Sequence, residues 1–220
     1  AMVDPLTGLY NRRYAMPRLA TIAARATETG TAFAVMVVDL DRFKQVNDQH
    51  GHGAGDQVLV EVSQRLTANL RANDLLARIG GEEFLVALPE ASMHLARSVG
   101  ERLCQAIEER PIRLASGVML TVTVSIGVAV SDGSRGRLAS ADQVIEAADL
   151  ALLDSKGSGR NQVTFRLSAA CGRWSGRRRG VAGSVPLQPA LQPVRESLAF
   201  GVAHRRNPFA DQGAAKLQPI

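Results

Sequence analysis

The sequence predicts an α+β fold, a sheet with helices packed on it. Residues 32–38 form a near-continuous apolar run rich in valine, the pattern of a buried central strand. Two shorter apolar runs, residues 75–79 and 84–88, flank Gly80-Gly81-Glu82-Glu83, which signals a β-hairpin. Segments of helical period alternate with these strands in the order αβααββαβαβ.

The elements follow in order. Asp4-Pro5-Leu6-Thr7 opens a helix of about 20 residues, with Leu9, Tyr14, Met16, Leu19 and Ile22 on its apolar face and Gly30 as its stop. The strand at 32–38 ends abruptly at Asp39-Leu40-Asp41. Residues 42–56 are polar and punctuated by glycine, and a helix is expected from 57 to 70, with Val58, Leu59, Val62 and Leu66 inward. After the hairpin, Ser92 caps a helix that Pro111 closes off near residue 110. Residues 118–130 alternate as a strand, 141–155 are helical, and 162–165 form a last short strand.

Helical and strand period fade after residue 166. Residues 166–220 carry nine Lys/Arg against two acidic residues, with five of the nine prolines and the run Arg177-Arg178-Arg179. The excess positive charge therefore belongs to this tail, read as disordered or loosely attached, and does not mark a DNA- or RNA-binding domain. The remaining residues, 1–165, are slightly acidic on balance. No apolar run is long enough to span a membrane, and the N-terminus lacks a signal-peptide layout. Cys104 and Cys171 read as free thiols of a reduced, cytoplasmic protein.

The chemistry gathers where the first strand ends. Carboxylates at a buried strand's exit are costly unless they meet cations or water, and Asp39 and Asp41 stand there. Glu82 and Glu83 sit at the hairpin tip, where Gly80 and Gly81 let the backbone bend; taken alone, this turn reads equally well as a solvated loop. Three or four carboxylates at one sheet end call for a divalent metal, and oxygen ligation suits Mg²⁺ or Mn²⁺. Lys44 and the amides of Arg42 and Phe43 suit a phosphate, as do Lys156 and Arg160 on a glycine-flexed segment. Asn47 and Asp56 could read a guanine edge, although Asn47 serves equally as a helix cap. His50 and His52 lack further zinc ligands and are assigned loop and packing roles.

Six segments then resemble one family in its own order. They are DPLTGLYNRR (4–13), DLDRFKQVND (39–48), GHGAGD (51–56), RIGGEEF (78–84), VSIG (124–127) and KGSGRN (156–161). Residues 3–165 thus resemble the GGDEF family of bacterial diguanylate cyclases. The resemblance implies a palm-like, mostly antiparallel sheet and the condensation of two GTP molecules into cyclic di-GMP by a homodimer. It implies that Asp39, Glu82 and the Leu40 carbonyl hold metal, two ions per GTP site. Glu83 is then a further ligand or the group that helps deprotonate the attacking 3′-hydroxyl. Asn47 and Asp56 resemble guanine readers; Lys44, Lys156 and Arg160 resemble phosphate contacts. Arg71 and Asp74 fall nine and six residues before the turn, where the family carries a product-inhibition site to which Arg102 contributes. Leu153 replaces the family's tyrosine and is assigned to packing. The first helix begins so early that no sensory domain is expected within this sequence.

Overall fold

Asp4 and Gly8 decide where the first helix begins. The Asp4 carboxylate accepts hydrogen bonds from the Thr7 amide (2.9 Å) and hydroxyl (2.7 Å), and its carbonyl accepts from the Gly8 amide (3.0 Å). These bonds close a turn that Gly8 leaves at φ +72°, so the helix expected from Asp4 does not propagate. A short strand, β1 (Tyr10–Asn11), follows, and α1 (Arg12–Thr29) starts only after Asn11, whose side chain caps the Tyr14 amide. The structure, a computed structural model, describes residues 1–132 and 139–167.

β2 (Phe33–Leu40) is buried along its whole length, as its composition predicts. The two helices that the predicted order places after it take up the polar stretch as well: α2 (Phe43–His50) is followed directly by α3 (His52–Ala68), which starts earlier than the expected residue 57. Only Phe43 and Val46 anchor α2 in the core, too sparse an apolar pattern to mark its extent. β3 (Leu75–Arg78) and β4 (Glu83–Pro89) form the expected hairpin, and α4 (Met93–Glu108) is capped by Ser92. The single strand expected over 118–130 is two. β6 (Met119–Leu120) pairs with β5 (Ile112–Arg113) as a separate ribbon, and β7 (Val124–Ser131) joins the main sheet. Between them, Asp41 occupies both the carbonyl and the hydroxyl of Thr123. α5 (Ala141–Gly157) opens on a capping box of Ser140 and Gln143, and β8 (Val163–Leu167) ends the described chain.

The six-stranded sheet has the order β1-β3-β4-β2-β7-β8. β2 runs antiparallel to both β4 and β7, and β3 antiparallel to β4; only β1 and β8, at the edges, pair in parallel. This is the expected palm-like α+β architecture. Alternation along β2 sorts its two faces. Ala34, Met36, Val38 and Leu40 enter the core shared with α2, α3 and α4, while Phe33, Val35 and Val37 enter the core shared with α1 and α5. Asp39 continues the second series and emerges on the α5 side. A Cβ at Gly127 on β7 would fall on the backbone of Ala148 and Leu152. Glycine there lets α5 lie close against β7, so that the last turn of α5 reaches the end of β2.

Cys104 is buried on α4, and burial pushes its thiol up to about 12, which leaves it an inert core group. Among the described residues no helix is long and apolar enough to cross a membrane. The expectations placed on Cys171 and the Arg177-Arg178-Arg179 run lie outside the described residues.

Candidate active site

Strand register brings the acidic residues together. Asp39 on β2 lies directly opposite Glu83 on β4, and the Leu40 amide donates to the Glu82 carbonyl at 3.2 Å. The turn closes with the Ile79 and Gly80 amides donating to the Glu83 carbonyl, at 2.9 and 3.3 Å. The Glu83 side chain folds back over Gly80, where a Cβ would sit 2.5 Å from Oε2; Gly81 faces open space. A side chain at position 80 would therefore push the Glu83 carboxylate out of its present place.

Arg78 fastens this turn from below. Its Nε and Nη2 donate to the Gly81 carbonyl (3.2 and 2.7 Å), and its Nη1 reaches both Asp4 carboxylate oxygens (3.1 and 3.2 Å). Burial opposes the charge on Asp4, but the bonds from Thr7 and Arg78 outweigh it and hold the carboxyl below its ordinary value. Sequence reasoning left Arg78 and Asp4 out of the site. The available signal was a guanidinium on the strand just before the two glycines.

Asp39 is 4 % exposed, and the Lys156 ammonium stands 2.8 Å from its Oδ2. Burial outweighs that cation and lifts the Asp39 carboxyl above its ordinary value, with repulsion from Glu83 and Asp41 adding to the rise. Glu82 is raised as well, by burial and then by Asp39. Two carboxyls made reluctant to ionise, with oxygen as the only donor atom, fit a hard divalent cation that would relieve both. Among the described residues no three His, Cys, Asp or Glu side chains converge into a ready-made cage.

Asp41 does not join this cluster, contrary to the expectation of up to four converging carboxylates. Its Oδ1 accepts from the Ser125 hydroxyl (2.6 Å), and its Oδ2 accepts from the Thr123 hydroxyl (2.7 Å) and the Asn161 amide (3.0 Å). A carboxylate so engaged has little left to offer a metal.

The remaining residues expected in the site lie on α2, on α3 and after α5. Arg42, at φ +57°, opens α2 with no side chain capping the first turn, and Lys44 is exposed on that turn. Asn47 rests against Gly55, where a Cβ would strike its side-chain oxygen, and this places it beside the exposed Asp56. Arg160 is exposed at φ +68°, its amide held by the Ser155 carbonyl at 3.1 Å.

This arrangement has relatives. The family model described as "Diguanylate cyclase, GGDEF domain" matches residues 1–162. The chain belongs to that family. It is 40% identical over 164 residues to the response regulator PleD of Caulobacter vibrioides, covering 74% of this chain and 36% of PleD. It is 37% identical over 161 residues to the diguanylate cyclase DosC of Escherichia coli, covering 73% of this chain and 34% of DosC. The chain thus spans about a third of the length of these relatives. The solved GGDEF domain of DgcB from Caulobacter crescentus, in complex with c-di-GMP, aligns at a TM-score of 0.71 and 35% identity, covering 75% of this chain and 95% of that one.

Within this GGDEF domain, Arg71 and Asp74 form a tight turn ahead of β3. The Asp74 carboxylate accepts from the Arg71 amide (2.8 Å), and the Arg71 carbonyl accepts from the Asp74 amide (3.0 Å). The turn opens on a cleft of about 750 Å³ against α1, lined also by Tyr10, Tyr14, Arg18 and Arg25. Of these, only Tyr14 stood out in the sequence, and there as a packing residue; Arg18 and Arg25 are exposed on α1, and isolated basic residues on a helix face are commonplace. Arg102 is not among the residues lining this cleft; its guanidinium donates to the Asn69 carbonyl at 2.8 Å. Leu153, expected to pack, is 63% exposed.

Proposed function

We propose that this GGDEF domain condenses two GTP molecules into cyclic di-GMP, one GTP held by each chain of a symmetric homodimer. The observation that carries the reading is the pairing of Asp39 with Glu83 across β2 and β4, with Leu40 tied to Glu82 and Lys156 placed over Asp39. That DosC is named a diguanylate cyclase, and that the DgcB domain was solved with c-di-GMP, supports it.

Asp39, Glu82, Glu83 and the Leu40 carbonyl would hold Mg²⁺ or Mn²⁺, two ions per GTP. What the metal supplies when bound is activation of the attacking oxygen and neutralisation of the leaving phosphate. The uncapped first turn of α2 at Arg42 and Phe43, with Lys44, Lys156 and Arg160, would take the triphosphate. Gly80 and Gly81 let the substrate approach the backbone closely. Asn47 and Asp56 face the guanine, the carboxylate accepting its N1 and N2 hydrogens. The 3′-oxygen of one GTP attacks the α-phosphorus of the other; its proton passes to a base for which Glu83 is the nearest candidate. The bond from the α-phosphorus to the bridging oxygen breaks, and pyrophosphate leaves. A second, reciprocal attack closes the ring, which explains why one chain supplies half a site.

Arg71 and Asp74, with Arg102 nearby on α4, are assigned to a product-inhibition site. Counted along β3, Asp74 lies roughly 20 Å from Gly80, so inhibition through it would act at a distance from the carboxylates. A domain that works on GTP in this way belongs in the cytoplasm.

Incubation with GTP and Mg²⁺, followed by identification of the nucleotide product, tests the reading. Cyclic di-GMP and pyrophosphate are expected in a 1:2 ratio, and Glu83→Ala should lower the rate by about 100-fold or more. GTP binding without turnover would leave a nucleotide-binding signalling module instead, and undiminished product from Glu83→Ala would refute the assigned roles.

A further inference from the structure

We infer that Asp41 is a positioning residue for the phosphate-binding segment that follows α5, and not a metal ligand. The inference rests on the proposed role of Arg160. Residues 157–162 leave α5 and return to the sheet through two consecutive non-glycine residues in the left-handed region, Arg160 at φ +68° and Asn161 at φ +48°. Residues with a Cβ resist that conformation, and something must hold it. The Asn161 side-chain oxygen is moreover buried with no hydrogen-bond partner among the described residues.

The Gln162 carbonyl accepts from the Ile126 amide (2.9 Å) where the segment rejoins the sheet, and three more bonds hold the strained pair and its neighbour. The Ser155 carbonyl accepts from the Arg160 amide (3.1 Å) and from the Gln162 side chain (2.8 Å), which closes it on the helix it leaves. Asp41 Oδ2 accepts from the Asn161 amide (3.0 Å), which ties it to the end of β2. Asp41 is itself aimed by the Thr123 and Ser125 hydroxyls, and its own amide donates to the Thr123 carbonyl at 2.9 Å. The carboxylate is 8% exposed. It therefore joins three parts of the chain at one point: the strand carrying Asp39, the β6–β7 junction and the backbone beside Arg160. Released from Asp41, the Arg160–Asn161 pair would relax toward ordinary backbone angles and carry the Arg160 guanidinium away from the proposed phosphate position.

A displacement on the order of 1 Å at a positioned group is enough to cost one to two decades in function. Binding of α,β-methylene GTP with Mg²⁺, measured by calorimetry on the full chain, reads the effect without turnover. Asp41→Ala is expected to raise Kd about tenfold, as Arg160→Ala does, and the double variant should be no worse than Arg160→Ala alone, because both changes remove one contact. Asp41→Asn should bind close to wild type. Its amide oxygen can still accept from the Asn161 amide and the Thr123 hydroxyl, while the Ser125 hydroxyl, which faces the other position, can rotate to accept from its NH₂. If Asp41→Ala does not fold, Asp41→Ser takes its place, being too short to reach Asn161.

Losses that add in the double variant would overturn the positioning role while leaving Arg160 as a phosphate contact. So would an Asp41→Asn variant as weak as Asp41→Ala, the result a metal ligand would give. An Arg160→Ala variant that binds like wild type would remove both the phosphate role and this inference.

Discussion

The Lys156 ammonium lies 2.8 Å from the Asp39 carboxylate, joining the last turn of α5 to the end of the central strand. It offsets part of the charge at the strand end, where the proposed metal would bind. Lys156→Ala would leave Asp39 buried and unpaired, and because the lysine side chain is 32% exposed the cost should be moderate, about 1 kcal/mol. Thermal melts with and without Mg²⁺ check this. The variant should melt lower than wild type in chelator and gain more than wild type from added Mg²⁺; equal gains would mean that the lysine and the metal do not act on the same charge.

The raised carboxyls of Asp39 and Glu82 make stability depend on pH in a defined direction. Both hold their protons to higher pH when folded than when unfolded. Their contribution to stability therefore falls as pH rises from the unfolded carboxylate range, about 4, through the folded values, and stays reduced above them. In metal-free buffer at pH 7.5, Asp39→Asn should melt above wild type while losing activity. That advantage should shrink as the pH is lowered toward 4. A variant less stable than wild type at pH 7.5 would contradict the assignment.

Gly55 shapes the proposed guanine site. A Cβ there would strike the Asn47 side chain, with Phe43 close behind it. Gly55→Ala should displace Asn47 from the base it reads and raise KM for GTP about tenfold, the worth of one good hydrogen bond to a base. The rate constant kcat should change far less. A fall in kcat at constant KM, measured in steady-state kinetics, would place Asn47 elsewhere in the cycle.

Arg71 is exposed at the opposite end of β3 from the catalytic turn. Arg71→Ala should keep its initial rate within about twofold and lose inhibition by added cyclic di-GMP, the coupling being worth roughly 1–3 kcal/mol. Progress curves that flatten as in wild type would argue against the site. The Arg102 bond to Asn69 predicts a smaller effect for Arg102→Ala, exerted through the end of α3.

Much of the fold was legible from local pattern. The valine run of β2, the Gly-Gly hairpin, the Ser92 cap and the α5 helix all announce themselves within a few residues, because burial on both faces, tight turns and helix caps are local demands. The misread elements depended on partners distant in sequence. The first helix starts late because Asp4 is occupied by Thr7 and Arg78. The strand expected over 118–130 divides at Thr123 because Asp41, 82 positions earlier, engages it. α2 forms on two buried side chains that only the assembled core can reward.

By itself, the sequence determined which chemistry is available here: the carboxylates at a buried strand's exit, the two-glycine turn, the cations spaced after the last helix and the family these motifs belong to. Tertiary structure alone decided how they are shared out. Asp39 and Asp41 are two residues apart and chemically identical, yet one faces Glu83 and Lys156 while the other is consumed by Thr123, Ser125 and Asn161. No local pattern separates them, because a carboxylate's role is set by the donors that reach it. Those donors come from the β6–β7 junction, β7, the last turn of α5 and the segment after it, more than 80 residues away.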